Sequence, residues 1–551
     1  MVAQSAGWDE TFDVVVVGSG GAALTSAVRA ANDGASVLVV EKASTIGGTT
    51  GVSGGVMWVP NNHHLGPLGL EDSREDAIAY VTQIADGTPM DPQLVEVFVD
   101  RAPEMLEYLE ANTPLQTQVV TNLHDYYGAI LHRVAGCKPF SRSVEPLPFA
   151  ARDELGEHAD RIQARSTLLS LGAQTTLVED LGGGISMDEL AKRERSGMRV
   201  KGAALIGCLV KALVDLGVEI RTDAPASELV VDDSRAVIGL TVGGDQPRRI
   251  GARKGVILAC GGFEWDPEMV LAYLGYEVKP LSPGTNTGDG HLMAMEVGAR
   301  MGNMTSYWGQ GAMFDPAITD DEGRPAGQMA IGVGPGSIIV NRFGERFMHG
   351  GYTYNDFPKV FGNFEHRLPG RPNRPPAWTI FGATVKERQN ILTMRPGEAA
   401  PDWLVQAPTI RELAAKIGVD AEALEATVTR YEKYVDQGED PEWGDPDGGP
   451  GGTGGAMPLM SIGDGPYYAI QQWPATLGTS GGCRINEHGQ VLGHRREVID
   501  GLYAAGNTSA SVLGSAYVGG GTPIASGATF GYLAAGHAAS QPARDIDRDT
   551  D

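Results

Sequence analysis

The residues best equipped for chemistry stand near the start of the chain. Gly18-x-Gly20-x-x-Ala23 lies between an apolar run and a helical one, and Glu41 ends the next apolar run. In such a unit the first glycine allows a tight turn and the second lets the backbone approach a pyrophosphate. The small third residue lets the helix pack closely on the strand. Ser19, Gly20, Gly21 and Ala22 open the helix, where free N–H groups and the positive dipole end favour an anion. Glu41, followed by Lys42, can accept hydrogen bonds from an adenosine ribose. Next comes ASTIGGTTGVSGG, in which Gly47, Gly48, Thr49, Thr50, Ser53, Gly54 and Gly55 offer a second set of donors. This unit by itself suits NAD or FAD. A second glycine-rich element, GLYAAGNTSAS running on to GGGTPIASG, contributes Gly506, Asn507, Pro523 and Ile524 ahead of another helix. Two separated glycine-rich elements favour FAD, because the second helix N-terminus can stabilise negative charge on a reduced flavin.

The elements that must position these residues follow from periodicity. Residues 12–41 read as strand, turn, helix and strand, with both strands apolar throughout as strands covered on two faces should be. Helical spacing dominates from Glu71 to Asn112, which reads as a helical insertion, and again from Gly202 to Gly217. Short alternating strands follow, ending in GVILACGGF. From 284 to 474 the chain changes character, with a Pro-rich loop at 367–376 and a Gly-rich loop at 444–455. The expectation is an α/β chain with a Rossmann-like FAD-binding domain built from residues 1–283 and 475–551. An α+β catalytic, or cap, domain is inserted at 284–474. The charged tail from Gln541 reads as disordered.

Composition sets outer bounds. The 551 residues carry 43 Lys and Arg against 69 Asp and Glu, a net charge of −26 that disfavours nucleic acid and anionic membranes as partners. Cys137, Cys208, Cys260 and Cys483 have no metal or iron–sulfur spacing, so no metal is expected from them and a reduced compartment fits. The first residues lack a basic signal region, and the apolar run at 14–28 is broken by glycines and too short to span a bilayer. A cytoplasmic location without a transmembrane segment is the expectation.

The whole set of motifs resembles the fumarate-reductase-like flavoproteins and, among them, the 3-ketosteroid Δ1-dehydrogenases. The resemblance rests on GSGGAALTSAV, EKASTIGGTTGVSGGVMWVPNN, NTGDGHLMAMEVGA, NRFGERFM, LGTSGG and GLYAAGNTSAS. It implies further cofactor contacts at Gly261, Gly262, Asn286 and Asp289. It also implies the chemistry: a tyrosine removes the C2 proton of a 3-ketosteroid, the C1 hydride passes to flavin N5, and the C3 carbonyl is polarised by a tyrosine hydroxyl and a glycine N–H. HDYY ahead of FSRSVEP places one tyrosine of the proton-abstracting pair on Tyr126, beside Tyr127. GERFMHGGYTYNDF places the other on Tyr354, and Tyr517-Val518-Gly519-Gly520-Gly521 places the carbonyl site on Tyr517 and Gly521. Tyr307 and Trp308 are expected in the substrate wall. Val518 and the pair His349-Gly350 depart from the family pattern, which leaves the choice of steroid open. An electron acceptor, a quinone or another diffusible one, completes the cycle.

Two enzyme readings compete on the same scaffold, and a flavin-binding module without turnover is a third possibility. A fumarate or acrylate reductase needs an arginine proton donor with His and Arg clamping a dicarboxylate. Arg342, Arg346 and His349 are available, but TGDG is followed by HLMAMEVGARMGNMTSYWGQ without the expected His-Pro-Thr. A dehydrogenase acting at the Δ4 bond of 5α-steroids would use a different catalytic set.

Overall fold

Strand β1 (Glu10–Val17) is buried completely over Val14–Val16, as a strand flanked by parallel neighbours on both sides must be. The computed structural model describes residues 7–128, 134–163, 174–244, 246–320, 323–348, 353–363, 373–442 and 458–546. After β1 come α1 (Gly21–Asn32) and β2 (Val37–Val40), which lies parallel to β1 with Val14 opposite Val37. Helices α2 (Arg74–Ile84) and α3 (Pro92–Asn112) form the expected helical insertion. Their starts are set by the Ser73 and Asp91 side chains, which accept first-turn N–H bonds. Then follow α4 (Lys201–Asp215), β3 (Glu219–Arg221), β4 (Ala226–Val231), β5 (Val237–Val242) and β6 (Arg248–Leu258).

A second sheet starts with β7 (Tyr307–Thr319) and β8 (Pro325–Met329). It continues with β9 (Ser337–Val340), β10 (Arg346–Met348) and β11 (Ala377–Phe381). Its long central strand, β12 (Tyr467–Thr479), pairs antiparallel with both β7 and β11. Among the described residues its main strand order is β8-β7-β12-β11-β9-β10. Pro474, the expected end of this region, lies inside β12, and Lys279–Pro280 already pairs with Ala475–Thr476. The strands simply run past the point where composition changes.

The chain then returns to the first sheet through β13 (Gln490–Leu492) and β14 (Val498–Ala504), giving the order β13-β14-β6-β1-β2-β3. The last helix, α5 (Thr522–Ser540), packs against α1. Their approach depends on Gly531, where a Cβ would sit 2.6 Å from the Ala22 carbonyl oxygen. Ile524 in the first turn of α5 also comes within 3.7 Å of where a Cβ on Gly21 would be, so the first turns of both helices meet at the carboxyl end of β1.

The tail departs from the expectation of disorder as far as Ile546. Arg544 N–H donates to the Arg253 carbonyl, Trp8 Nε1 donates to the Ile546 carbonyl, and Ile546 is buried. Buried Ile546, these two bonds and Arg544 Nη1 on the Val237 carbonyl hold it down. Residues 547–551, the Gly-rich loop, His349, Gly350 and positions 367–372 of the Pro-rich loop lie outside the described residues. Among the described residues no helix is long and apolar enough to cross a membrane.

Candidate active site

A cavity of about 570 Å³ opens at the carboxyl end of β1 and runs between the two sheets. Part of its wall is backbone. Gly18 to Ala22, Glu41, Lys42, Gly48 to Thr50, and Ser53 to Gly55 line it, together with Gly261, Asn286, Asp289, Gly506, Asn507, Pro523 and Ile524. Gly18 has φ +104, and a Cβ there would lie 2.5 Å from the Ala259 carbonyl oxygen, so the turn requires glycine. Gly20 differs. Its φ of −73 is ordinary, and a Cβ would meet nothing closer than 3.8 Å. That space is on the cavity side, where a pyrophosphate can reach the backbone.

Three expected cofactor residues do not reach the wall. Ala23 is completely buried beneath the turn, where it packs α1 onto the sheet. Gly47 faces α4, with Ile206 3.3 Å from where its Cβ would be, and its N–H donates to Ser19 Oγ. Gly262 is wedged against Thr479 and Glu264 at the junction of the sheets. Each is a neighbour of a wall residue and differs from it in the direction it faces.

The polar groups along this wall are already oriented. The Ser19 hydroxyl donates to Glu41 Oε2 at 2.6 Å and Ala43 N–H donates to Oε1 at 2.7 Å. Burial raises the Glu41 carboxyl, while these two donors act against it. Lys42 is held by Asp289 and Thr287, and Asn286 donates to Thr49 Oγ1 and to Glu264. The glycines that precede α1 and α5 carry no capping side chain; Gly21 N–H is taken by Thr50 Oγ1 and Thr522 N–H by the Gly519 carbonyl, and the next N–H groups of each first turn are left to an external anion. This donor set, two helix ends without capping side chains and a carboxylate nearby, fits FAD.

The remaining wall is made mostly of side chains from widely separated segments. Tyr126, Trp308, Tyr354 and Tyr517 converge there with Leu123, Leu477 and the glycines of α5's entry. The Tyr126 and Tyr354 hydroxyls are 2.7 Å apart. The Tyr517 ring centroid lies 5.6 Å from Tyr126 and 5.3 Å from Tyr354, and the Trp308 ring stands edge-on to Tyr517. Burial pushes all three phenols above the usual tyrosine range. The Tyr354 hydroxyl lowers Tyr126, and the Tyr354 hydroxyl and Gly521 N–H lower Tyr517.

Neighbouring structure separates look-alike residues. Tyr127 points away from the cavity and donates to Asp356 Oδ2. Tyr307 also points away, bonded to Tyr276, because successive residues of β7 face opposite sides. Trp308 donates to Asn507 Oδ1 at 3.0 Å.

Tyr126 is held from behind by buried charges. Arg142, fully buried, bonds Asp125 at 2.6 Å and Asp72 at 2.7 Å, and Trp58 Nε1 donates to the other Asp125 oxygen. Burial takes the Asp125 carboxyl up to about 6, with Arg142 opposing the rise. Tyr126 N–H and the Tyr80 hydroxyl both donate to the Val518 carbonyl. Position 518 is thus used through its backbone, which accounts for valine serving there. Gly519, Gly520 and Gly521 let Trp58, Leu123 and Val56 press against the chain at distances no side chain would permit.

The sequence did not single out Leu123, Leu177, Asp180, Leu181, Leu281, Met329 or Leu477, all on the wall. Leu477 opens the LGTSGG motif without a role of its own there; the others are apolar or lone residues outside any motif, and only the tertiary fold gathers them.

Comparison with known proteins agrees with this architecture. The family described as FAD binding domain matches residues 13–524. A 3-oxosteroid 1-dehydrogenase of Mycobacterium tuberculosis is 35% identical, covering 97% of this chain and 99% of the relative. A 4-oxocyclohexanecarboxylate 2-dehydrogenase of Sinomonas cyclohexanicum is also 35% identical, covering 97% and 94%. The crystal structure of a 3-ketosteroid Δ1-dehydrogenase from Sterolibacterium denitrificans, in complex with 1,4-androstadiene-3,17-dione, superposes with a TM-score of 0.84. It is 32% identical and covers 96% of this chain and 100% of that one. The chain is an FAD-dependent oxidoreductase and belongs to the FAD-binding family that includes the 3-oxosteroid 1-dehydrogenases.

Proposed function

We propose that this protein removes the C1 and C2 hydrogens of a 3-ketosteroid, leaving a double bond between those carbons. The observation that carries the reading is the convergence of Tyr126, Tyr354 and Tyr517 beside Gly521 at the apolar part of the cavity. A proton next to a ketone becomes acidic when negative charge on the oxygen is stabilised, which Tyr517 Oη–H and Gly521 N–H do from one side. The paired hydroxyls of Tyr126 and Tyr354 take the C2 proton, and their short contact spreads the charge the base acquires. When bound, FAD supplies the oxidising power as a hydride acceptor. Residues 18–22, Glu41, Lys42, 48–50, 53–55, Gly261, Asn286, Asp289, Gly506, Asn507, Pro523 and Ile524 hold it. The first sheet and α5 form its Rossmann-like domain, and the second sheet forms the inserted catalytic domain. A quinone or other diffusible acceptor reoxidises the cofactor.

The similarity to the 4-oxocyclohexanecarboxylate enzyme raises a second reading, a one-ring keto acid undergoing the same desaturation. Among the described residues, the wall around the tyrosines holds Leu123, Leu281, Trp308, Met329 and Leu477 and no Lys, Arg or His to meet a carboxylate. That favours a polycyclic, uncharged substrate. The anion clamp of a fumarate reductase is equally unsupported. Arg346 is paired with Asp440 and Glu442, and Arg342 lies over Phe343.

An anaerobic titration at the flavin absorbance separates these readings. Bleaching by 4-androstene-3,17-dione, with neither 4-oxocyclohexanecarboxylate nor reductant needed, is the expected result. Bleaching by the keto acid alone, or reoxidation of chemically reduced enzyme by fumarate with no response to any 3-ketosteroid, would overturn it.

A further inference from the structure

Away from the cavity, a loop and the end of α3 bring together two imidazoles and a carboxylate that the reaction does not use. His63 Nε2 lies 2.7 Å from Glu110 Oε2, and His64 Nε2 lies 3.0 Å from Glu110 Oε1. The two rings are 4.0 Å apart, and one ligand atom from each of the three residues falls within 4.8 Å of the others. None of the three lines the cavity. We propose that His63, His64 and Glu110 form a site for a divalent transition-metal cation of the Zn²⁺ or Co²⁺ type.

The hydrogen bonding around Glu110 carries the argument. Its Oε1 already accepts Thr117 N–H at 3.0 Å and the Thr117 hydroxyl at 2.7 Å. His64 Nε2 lies 3.0 Å from both that oxygen and Thr117 Oγ1, while His63 Nε2 faces Oε2. A cation seated here takes one Nε2 lone pair from each imidazole, in the tautomer that carries its proton on Nδ1, and one from Glu110 Oε2.

The surroundings are those of a metal site. Thr117 fixes the carboxylate through two donors, and Glu107, 3.9 Å from His63 Nδ1, adds a second negative charge beside the site. Glu110 is only 12% exposed, whereas His63 reaches solvent, so a fourth position is open to water. The loop is set before any ion arrives. Asn61 N–H donates to Asp72, and Asn62 Nδ2 donates to the Val59 carbonyl. Zinc bonds to nitrogen and oxygen of about 2.0–2.2 Å at tetrahedral angles place ligand atoms roughly 3.3 Å apart, so the 2.7 and 3.0 Å contacts must open while the widest pair, within 4.8 Å, draws in, movements that rotation of the partly exposed imidazoles supplies. Imidazole and carboxylate donors select zinc or cobalt over magnesium. Such an ion would clamp the 59–65 loop to the end of α3.

The test is calorimetric titration of chelator-treated holoenzyme with ZnCl₂, with CoCl₂ and MgCl₂ as separate probes. One saturable zinc or cobalt ion per chain, a raised thermal midpoint and no response to magnesium are expected. The double variant His63→Gln, His64→Gln should lose the binding heat while keeping its flavin absorbance. Thr117→Val should retain the fold and weaken zinc by about 10- to 100-fold. Absence of a saturable event in the parent protein overturns the proposal, as does zinc binding that is the same in the parent and in Thr117→Val or the double variant.

Discussion

The two walls of the cavity are built on opposite principles. The cofactor wall is mostly backbone, taken from three glycine-rich runs and closed by two helix ends that lack side-chain caps. The wall around the tyrosines is mostly side chain, taken from positions 126, 308, 354 and 517. Backbone donors recognise a charged, invariant group such as a pyrophosphate, and substituting one residue seldom removes them. Side chains recognise one substrate and carry its chemistry, so single changes there should be costly and specific. Variants of the two walls should therefore fail in different ways.

The largest loss is expected at Tyr354→Phe. Removing one member of the proton-accepting pair should lower kcat by about 10²–10⁴-fold with FAD content unchanged, measured by steady-state turnover and the flavin spectrum. Burial holds Tyr126 and Tyr354 well above the ordinary phenol value, so the deprotonated form is scarce at neutral pH and increases with alkalinity. The parent enzyme's kcat/KM should accordingly rise from pH 7 to 9 without levelling off. A plateau below pH 8 would remove the tyrosine base.

Arg142→Met should be nearly as damaging, but through the fold. It strands the Asp72 and Asp125 carboxylates, and breaking a buried ion pair typically costs about 3–5 kcal/mol. Urea denaturation should report this along with a changed pH dependence. Asp125 at about 6 lies above the ordinary aspartate value of about 3.9, so the folded chain binds its proton more tightly than the unfolded chain. This group's contribution to stability therefore rises as pH falls from about 6 to 4. Without Arg142 the window should extend to higher pH. Tyr517→Phe ranks next, at about 10²–10³-fold in kcat for one lost oxyanion donor.

The same contrast explains what could be read from the sequence. The β1–α1–β2 unit was legible because turn, helix start and acid sit in one short stretch, where each residue type answers a local demand. Tyr126, Tyr354 and Tyr517 could not be chosen from 16 tyrosines on composition or spacing. Only the resemblance singled them out, because what joins them is a set of contacts across 228 positions and more. Within motifs, the direction a residue faces was the hidden variable: Gly47 and Gly262 look no different from Gly48 and Gly261 in sequence, yet they pack against Ile206 and Thr479. His63 and His64 went unnoticed for the same reason, since Glu110 and Thr117 reach them only through the fold.

The smallest expected effect on stability gives the sharpest comparison within the cofactor wall. Gly20→Ala introduces a methyl into space where the nearest protein atom is 3.8 Å away, at a backbone angle alanine adopts freely. Apoprotein stability should change by no more than about 0.5 kcal/mol, as for a substitution that disturbs no packing. The methyl nevertheless occupies the approach to the phosphates, so FAD should bind more weakly, seen as a lower flavin-to-protein ratio after gel filtration. Gly18→Ala is the paired control. There the methyl would press on the Ala259 carbonyl at 2.5 Å from a left-handed backbone, and the apoprotein itself should lose stability. If Gly20→Ala kept full FAD affinity, the backbone of this turn would not be what meets the cofactor.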